Sequence, residues 1–254
     1  MTKKKSNIKT QAELQVMREL WIIHKIIFDE IKKHLKPWNS WYNINKLVWE
    51  MAKKYNMLCA FAWVYDFPWN LCISVWDCVV HWVPSKKMIF KEWDVVKIDF
   101  WLKDKKFGLN TDAAFSMIIW DWPFDLEVEK FLKITKEALY KWIAKATTWN
   151  RVWDIGSAIQ KHIEKNWYHI VKDLTWHWIW YEVHEKPYIP NYWNPWTWEI
   201  LRENMTLAIE PIVWFSSPKI VTKWDFNIHI EDWSIWAQFE HTIIVKSWYP
   251  EIIV

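Results

Sequence analysis

The period of the apolar positions changes several times along the chain, and each change marks an element. Thr10-Gln11-Ala12-Glu13 has the form of a capping box, a hydroxyl and a carboxylate three residues apart at a helix start. Leu14, Met17 and the run from Leu20 to Ile31 keep helical spacing, which predicts a helix to about Leu35. A second helix is predicted over roughly 43–55, then β-like runs at Met57–Ala62 and Leu71–Val75. The period next drops to two. Val96, Ile98, Phe100 and Leu102 alternate with Lys97 and Asp99, and Lys103-Asp104-Lys105-Lys106 turns the chain into a partner strand around Asp112–Ile119. Asp125 caps a long helix to about Ala146, and a shorter helix spans about 153–165. The last third reads as strands at His169–Asp173, Thr206–Val213, Asp225–Ile230 and Ala237–Val245.

Helices and strands interleave without the βαβ rhythm of a parallel sheet. The expected fold class is therefore α+β, a mainly antiparallel sheet with helices on one face. No linker or repeat divides the chain, so residues 10–254 are expected to form one domain behind a basic, flexible tail at 1–9. That tail reads first as a solvated end; contact with the ribosome is the other reading. A chain of 254 residues buries a core without a disulfide or metal staple. A net charge of +3 gives no reason to expect a membrane or a specific nucleic acid as partner. Three cysteines without C-x-x-C spacing fit a reducing compartment, and no apolar run has the length of a spanning helix or the form of a signal peptide. A cytoplasmic protein is expected.

Two residue types are out of range: there are 27 Trp and 2 Gly, where roughly 18 Gly is usual for this length. The tryptophans stand where glycine is normally needed. Trp38 follows Lys36-Pro37 at a helix end, Trp93 precedes a strand, Trp167 stands just past a helix, and Trp233 sits in the turn Glu231-Asp232-Trp233-Ser234. Each place calls for φ > 0, which glycine adopts freely and an indole does not. A Trp-rich binding protein would carry its indoles on exposed faces instead. The placement favours glycines encoded by UGA and written as Trp, and the codons decide between the two readings.

Five potential metal ligands lie on strand-like or turn segments: Asp99, Asp112, His177, Glu210 and Glu240. Alternation turns Asp99 away from Val96, Ile98 and Phe100, and Glu210 away from Leu207 and Ile209. Glu240 shares a face with Gln238 and Thr242 while Phe239 turns inward. Carboxylates in apolar strands are costly unless paired, hydrogen-bonded or bound to a cation. Four of them with one imidazole make a hard donor set suited to two divalent ions such as Mn, Fe, Co or Zn. Taken singly, each is more simply a surface or ion-pair residue. Spacing alone does not bring the five together, nor is the His177-x6-His184 interval a known zinc spacing.

With glycine at the Trp positions, Val79-Val80-His81-Trp82-Val83-Pro84 becomes VVHGVP, and Trp176-His177-Trp178-Ile179-Trp180 becomes GHGIG ahead of His184-Glu185-Lys186-Pro187. Together with Val96-Lys97-Ile98-Asp99-Phe100, Ile209-Glu210-Pro211 and Ala237-Gln238-Phe239-Glu240-His241-Thr242, these words resemble the type I methionine aminopeptidases from about residue 10 to 254. The resemblance implies a pita-bread fold: a curved antiparallel sheet, helices outside, and two metal ions at its centre. It carries the metal ligands onto Asp99, Asp112, His177, Glu210 and Glu240. It implies that His81 contacts the substrate near the scissile bond and that His184 stabilises the oxyanion. Glu210 would move the proton. Cys72, Phe67 and Phe226 match methionine-pocket positions, with Cys59 nearby. The implied partners are nascent polypeptide N-termini with a small second residue, and the implied state is a monomer. An indole at Trp178 would obstruct the site.

Two departures stand out. Thr111-Asp112-Ala113 replaces the usual Gly-Asp-Thr, which removes a hydroxyl beside Asp112, and Val64 replaces an aromatic. Xaa-Pro aminopeptidases and dipeptidases share the five-ligand site; the compact length and the early VVHWVP word disfavour them. A non-catalytic pita-bread binding module is disfavoured because all five ligands persist. His24, His34, His162, His169 and His229 read as surface or structural, His241 as a neighbour of the site, and Cys78 as a small buried hydrophobe.

Overall fold

The computed structural model describes residues 8–62, 67–80, 85–119, 125–172, 175–190, 192, 199–216, 219–222 and 228–254. Helix α1 (Gln11–His34) begins at the expected capping box. The Thr10 hydroxyl accepts from the Glu13 N–H at 3.3 Å, and Glu13 accepts from the Thr10 N–H at 2.8 Å. Its buried stripe runs Leu14, Met17, Leu20, His24, Ile27, Phe28, Ile31. Helix α2 (Trp41–Lys54), capped by Ser40, leads into β1 (Met57–Cys59), β2 (Cys72–Val75) and β3 (Cys78–Val80). The hairpin of β4 (Val95–Asp104) and β5 (Asn110–Ile118) precedes α3 (Leu126–Ile143), which Asp125 caps as expected, and α4 (Val152–Lys165). The remaining strands are β6 (His169–Ile170), β7 (Thr175–Trp178), β8 (Glu185–Pro190), β9 (Thr206–Ile209), β10 (Ile212–Trp214), β11 (Ile220–Thr222), β12 (Ile228–Ile230), β13 (Trp236–Gln238), β14 (Glu240–Ile244) and β15 (Glu251–Ile252).

Strands pair antiparallel in the order β1-β4-β5-β14-β9-β7-β8, with β2 added to β4 and β15 to β14. Two smaller sheets, β13-β10-β6 and β11-β12-β3, complete the β structure. Helix α1 packs on β4 and β5, α2 on β1, and α3 on β13 and β14, with α4 against α3.

The predicted strands Thr206–Val213 and Ala237–Val245 are each broken in two. Pro211 has no N–H to give the ladder, so β9 ends at Ile209 and β10 resumes at Ile212. Opposite it, Phe239 separates β13 from β14. Both chains leave the large sheet and enter the small one at the same level, Ile209 facing His241 and Ile212 facing Gln238. Other differences concern the hairpin turn, the unforeseen strands and the N-terminal residues. Lys103 and Asp104 belong to β4, so the turn lies further on, where Gly108 takes φ 74°. Strands β7 and β8 were not foreseen. Ile8 and Lys9, expected in a flexible tail, are tied down: Ile8 bridges Met205 and the Lys9 N–H donates to Asn204 O at 2.9 Å. The predicted strand Asp225–Ile230 is described only from Ile228.

Backbone conformation singles out the tryptophans. Among the described residues, eight non-glycines have positive φ; two are Asn56 and Asn204, and six are Trp38, Trp76, Trp93, Trp149, Trp167 and Trp233, at 55–75°. Asparagine visits this region readily, whereas a bulky side chain there is an outlier.

Candidate metal centre

The register of the large sheet places the candidate ligands on one face. Across β2, β4, β5 and β14, Cys72, Asp99, Ala114 and Glu240 lie in one row. Paired antiparallel residues project to the same side, so Asp112, two residues from Ala114, shares that face. Next to this row, Thr242 pairs with Ala208 and Ala208 with His177. Ala114 and Ala208 thus stand between the ligand-bearing strands and leave room above the sheet. Glu210 enters from the break before Pro211, held by a hydrogen bond from the Gln238 amide.

Distances bring the set together. Asp112 Oδ2 lies 3.6 Å from His177 Nε2, and donor atoms of Asp112, His177 and Glu240 all fall within 4.8 Å of one another. Asp99 and Glu210 act electrostatically on the same cluster, each raising the carboxyl pKa of Asp112 and Glu240. Asp99, Asp112 and Glu240 are buried, and β4 and β5, which carry the first two, are covered on both faces. Burial first, then the neighbouring carboxylates, hold Asp112 and Glu240 well above the usual range; burial pushes Asp99 up to about 7. Glu210 is raised by burial and by Asp99. Burial lowers His177 to about 3, so its ring is neutral and a nitrogen lone pair is free to coordinate. Asp99 Oδ1, Asp112 Oδ1 and both carboxylate oxygens of Glu240 are buried without a hydrogen-bond partner. Such oxygens are expensive to leave unsatisfied. Four carboxylates around a neutral imidazole supply the donors that a divalent cation of the Mn, Fe, Co or Zn type requires.

Two hydroxyls brace the site. Thr242 Oγ1 accepts from the Asp112 N–H at 2.9 Å and donates to the Asp112 carbonyl at 2.7 Å. Ser116 Oγ donates to Gln238 O at 2.8 Å and accepts from the Gln238 N–H at 2.9 Å, fixing the residue that holds Glu210. Neither role was read from the sequence, although Thr242 and Gln238 were placed on the face of Glu240.

Beyond the ligands, His184 meets the His177 ring edge-on at 4.4 Å between centroids. It borders a cavity of about 760 Å³ that Cys59, Ala62, Asn70 and Val183 also line. An aromatic series, Phe67 to Phe61 to Trp101 to His184, connects by ring contacts of 5.0, 4.1 and 4.9 Å. Phe61 and Trp101 were not foreseen there. Trp178 does not obstruct the site: it pairs with Leu207 on the opposite face from His177 and is buried in the core. It is Trp101, on the face of Asp99, whose indole stands against the cluster. His81, Phe226 and Val64 lie outside the described residues.

Metallopeptidase family M24 matches residues 15–247. The chain belongs to this family. It is 32% identical to a methionine aminopeptidase of Clostridium acetobutylicum, over 97% of both chains. Its fold matches the crystal structure of methionine aminopeptidase from Thermotoga maritima with a TM-score of 0.91 and 33% identity, covering 97% of this chain and 98% of that one. The prolidase of Pyrococcus horikoshii shares the fold at a TM-score of 0.75, with 18% identity and 62% of its length covered. The expected α+β pita-bread architecture is therefore the one found, a curved antiparallel sheet with, among the described residues, four helices.

Proposed function

We propose that this M24 chain is a methionine aminopeptidase that removes the initiator methionine from nascent N-termini when the second residue is small. The observation that carries this reading is the buried group Asp112, His177 and Glu240, on which Asp99 and Glu210 act electrostatically, in a family member that matches methionine aminopeptidases over nearly its whole length. The five residues would hold two divalent ions of Mn, Fe, Co or Zn type. When bound, such ions bring the pKa of a water to about 7 and polarise the peptide carbonyl. The chain's own groups do the rest. Glu210, at the strand break and hydrogen-bonded by Gln238, takes the proton from the attacking water and passes it to the leaving amine. His184, beside His177, donates to the carbonyl oxygen as charge develops on it. His81 holds the substrate at the scissile bond. Phe67, Cys72 and Phe226, with Cys59 nearby, form an apolar, sulfur-containing slot suited to a thioether. The cluster's carboxylates also accept the free α-amino group, which restricts cleavage to the first residue.

The chain acts as one catalytic domain and a monomer in the cytoplasm, in keeping with reduced cysteines at Cys59, Cys72 and Cys78. Among the described residues, no helix is long and apolar enough to cross a membrane. Many of its Trp letters stand for UGA-encoded glycine. Six indoles at positive φ support this, as do the indole N–H groups of Trp178, Trp180 and Trp214, which are buried without an acceptor although a buried Trp normally finds one. At Trp101 a glycine would open the space beside Asp99. The gene's codons and the intact mass of the protein from its native host test this; UGG codons at Trp38, Trp93, Trp167 and Trp233 would refute it.

The activity is tested by comparing Met-Ala-Ser with an Xaa-Pro peptide, using metal-loaded protein. Release of methionine from Met-Ala-Ser is expected. Preferential cleavage of the Xaa-Pro bond would reassign the chain to the prolidase-like branch of the fold.

A further inference from the structure

His184, to which the proposed function gives the developing oxyanion, lies in the loop that joins β7 to β8, one residue ahead of Glu185. A donor serves an oxyanion only when it is held where the charge appears, so the groups that fix this loop bear on the reaction. Two main-chain carbonyls of the loop are bound by the end of the β4–β5 hairpin, where Lys103 and Asn110 stand directly opposite each other. Asn110 is fully buried, and its side-chain amide donates to the carbonyls of Trp180 at 2.9 Å and Tyr181 at 2.8 Å. The Asn110 backbone N–H adds a second bond to Trp180 O at 2.9 Å. Lys103 Nζ donates to the Tyr181 carbonyl at 3.1 Å. From the other end, Glu185 Oε1 accepts from the N–H groups of Tyr181 and Glu182 at 3.2 and 3.1 Å, which folds the loop back onto the residue after His184. The His184 ring then rests edge-on against His177, and Lys103, Asn110 and His184 border one cavity.

The hairpin that grips the loop also carries Asp99 and Asp112, so the loop and these carboxylates share one support. A shift of about 1 Å in a reacting group can cost about a hundredfold in rate, which makes such a support matter to turnover. We propose that Asn110 and Lys103 are positioning residues: they clamp the β7–β8 loop to the hairpin and so hold His184 at the scissile carbonyl. This inference rests on the role that the proposed function gives His184. Only the main-chain carbonyl of Trp180 takes part, so the clamp is the same whether that letter stands for Trp or Gly.

The test uses the metal-loaded full-length protein with Asn110→Leu and with Lys103→Met/Asn110→Leu, each alone and each combined with His184→Ala. In Asn110→Leu the Trp180 and Tyr181 carbonyls each keep one donor, so this variant should fold. With Met-Ala-Ser at saturating metal, kcat should fall about tenfold in Asn110→Leu and further in the double variant, while KM and metal affinity stay within about twofold. His184→Ala alone should slow kcat about a hundredfold, and in that background either clamp variant should change it by less than about twofold. Amide hydrogen exchange read by mass spectrometry needs no turnover: residues 180–185 should exchange at least about tenfold faster in the clamp variants, with β14 unchanged. The same loss of kcat in both backgrounds, weakened metal binding, or unchanged exchange in the loop would each overturn the clamp alone. Wild-type kcat in His184→Ala would overturn it together with the role given to His184.

Discussion

The hydroxyl of Thr242 is bonded on both sides to the backbone of Asp112, which lends the site rigidity that Ala113 cannot give. Thr242→Val keeps the side chain's shape and removes both bonds. It should weaken metal affinity about tenfold to a hundredfold, read by metal titration, while kcat at saturating metal changes little. Asp99→Ala and Glu240→Ala each remove a carboxylate proposed to hold the metals and should each abolish hydrolysis with the fold retained; wild-type turnover in either would misplace the site. The same residues set a pH dependence. Asp99 ionises only near pH 7, and Asp112, Glu210 and Glu240 hold their protons well above the usual carboxylate range. A cation must displace those protons, so binding should release protons and tighten as pH rises from about 6 to 8. His177, already neutral, contributes no proton there. Titrations in two buffers of different ionisation enthalpy measure this; proton uptake, or affinity falling with pH, would contradict it.

At the level of elements, the capping box of α1 and the alternation of β4 were legible because each depends on residues close in sequence. Thr10→Ala should cost about 1 kcal/mol in chemical denaturation. The two strand breaks were less legible. Pro211 was a visible signal, but Phe239 is an ordinary strand residue, and only pairing with the Pro211 region explains why the chain changes sheet there. Strand β7 carries His177 yet reads Thr-Trp-His-Trp, with no aliphatic alternation to announce it. The positive-φ tryptophans give a further expectation. Trp149→Gly and Trp167→Gly, both at exposed turns, should each stabilise the chain as written by about 1 kcal/mol, because the strained conformation costs glycine nothing. A loss of stability would mean that these indoles hold contacts worth more than the strain.

Across the whole molecule, which residues would share one face of the sheet was legible, but their burial was not. Alternation says which residues share a face; it does not say that a face will be covered, and here both sides of the hairpin are. The covering creates the central tension: the carboxyls of Asp99, Asp112, Glu210 and Glu240 act on one another beside a neutral imidazole, and burial with like charge holds Asp112 and Glu240 well above the usual range. A divalent cation relieves that tension, and binding to the folded state alone should raise its stability, by about 2.7 kcal/mol at a concentration a hundred times Kd. The most direct measurement is a titration of metal-free protein with Mn(II), wild type against Asp112→Asn. Saturable binding in the wild type, lost or weakened by orders of magnitude in the variant, is the expected result. Binding of equal strength in both would show that the cluster does not hold the metal.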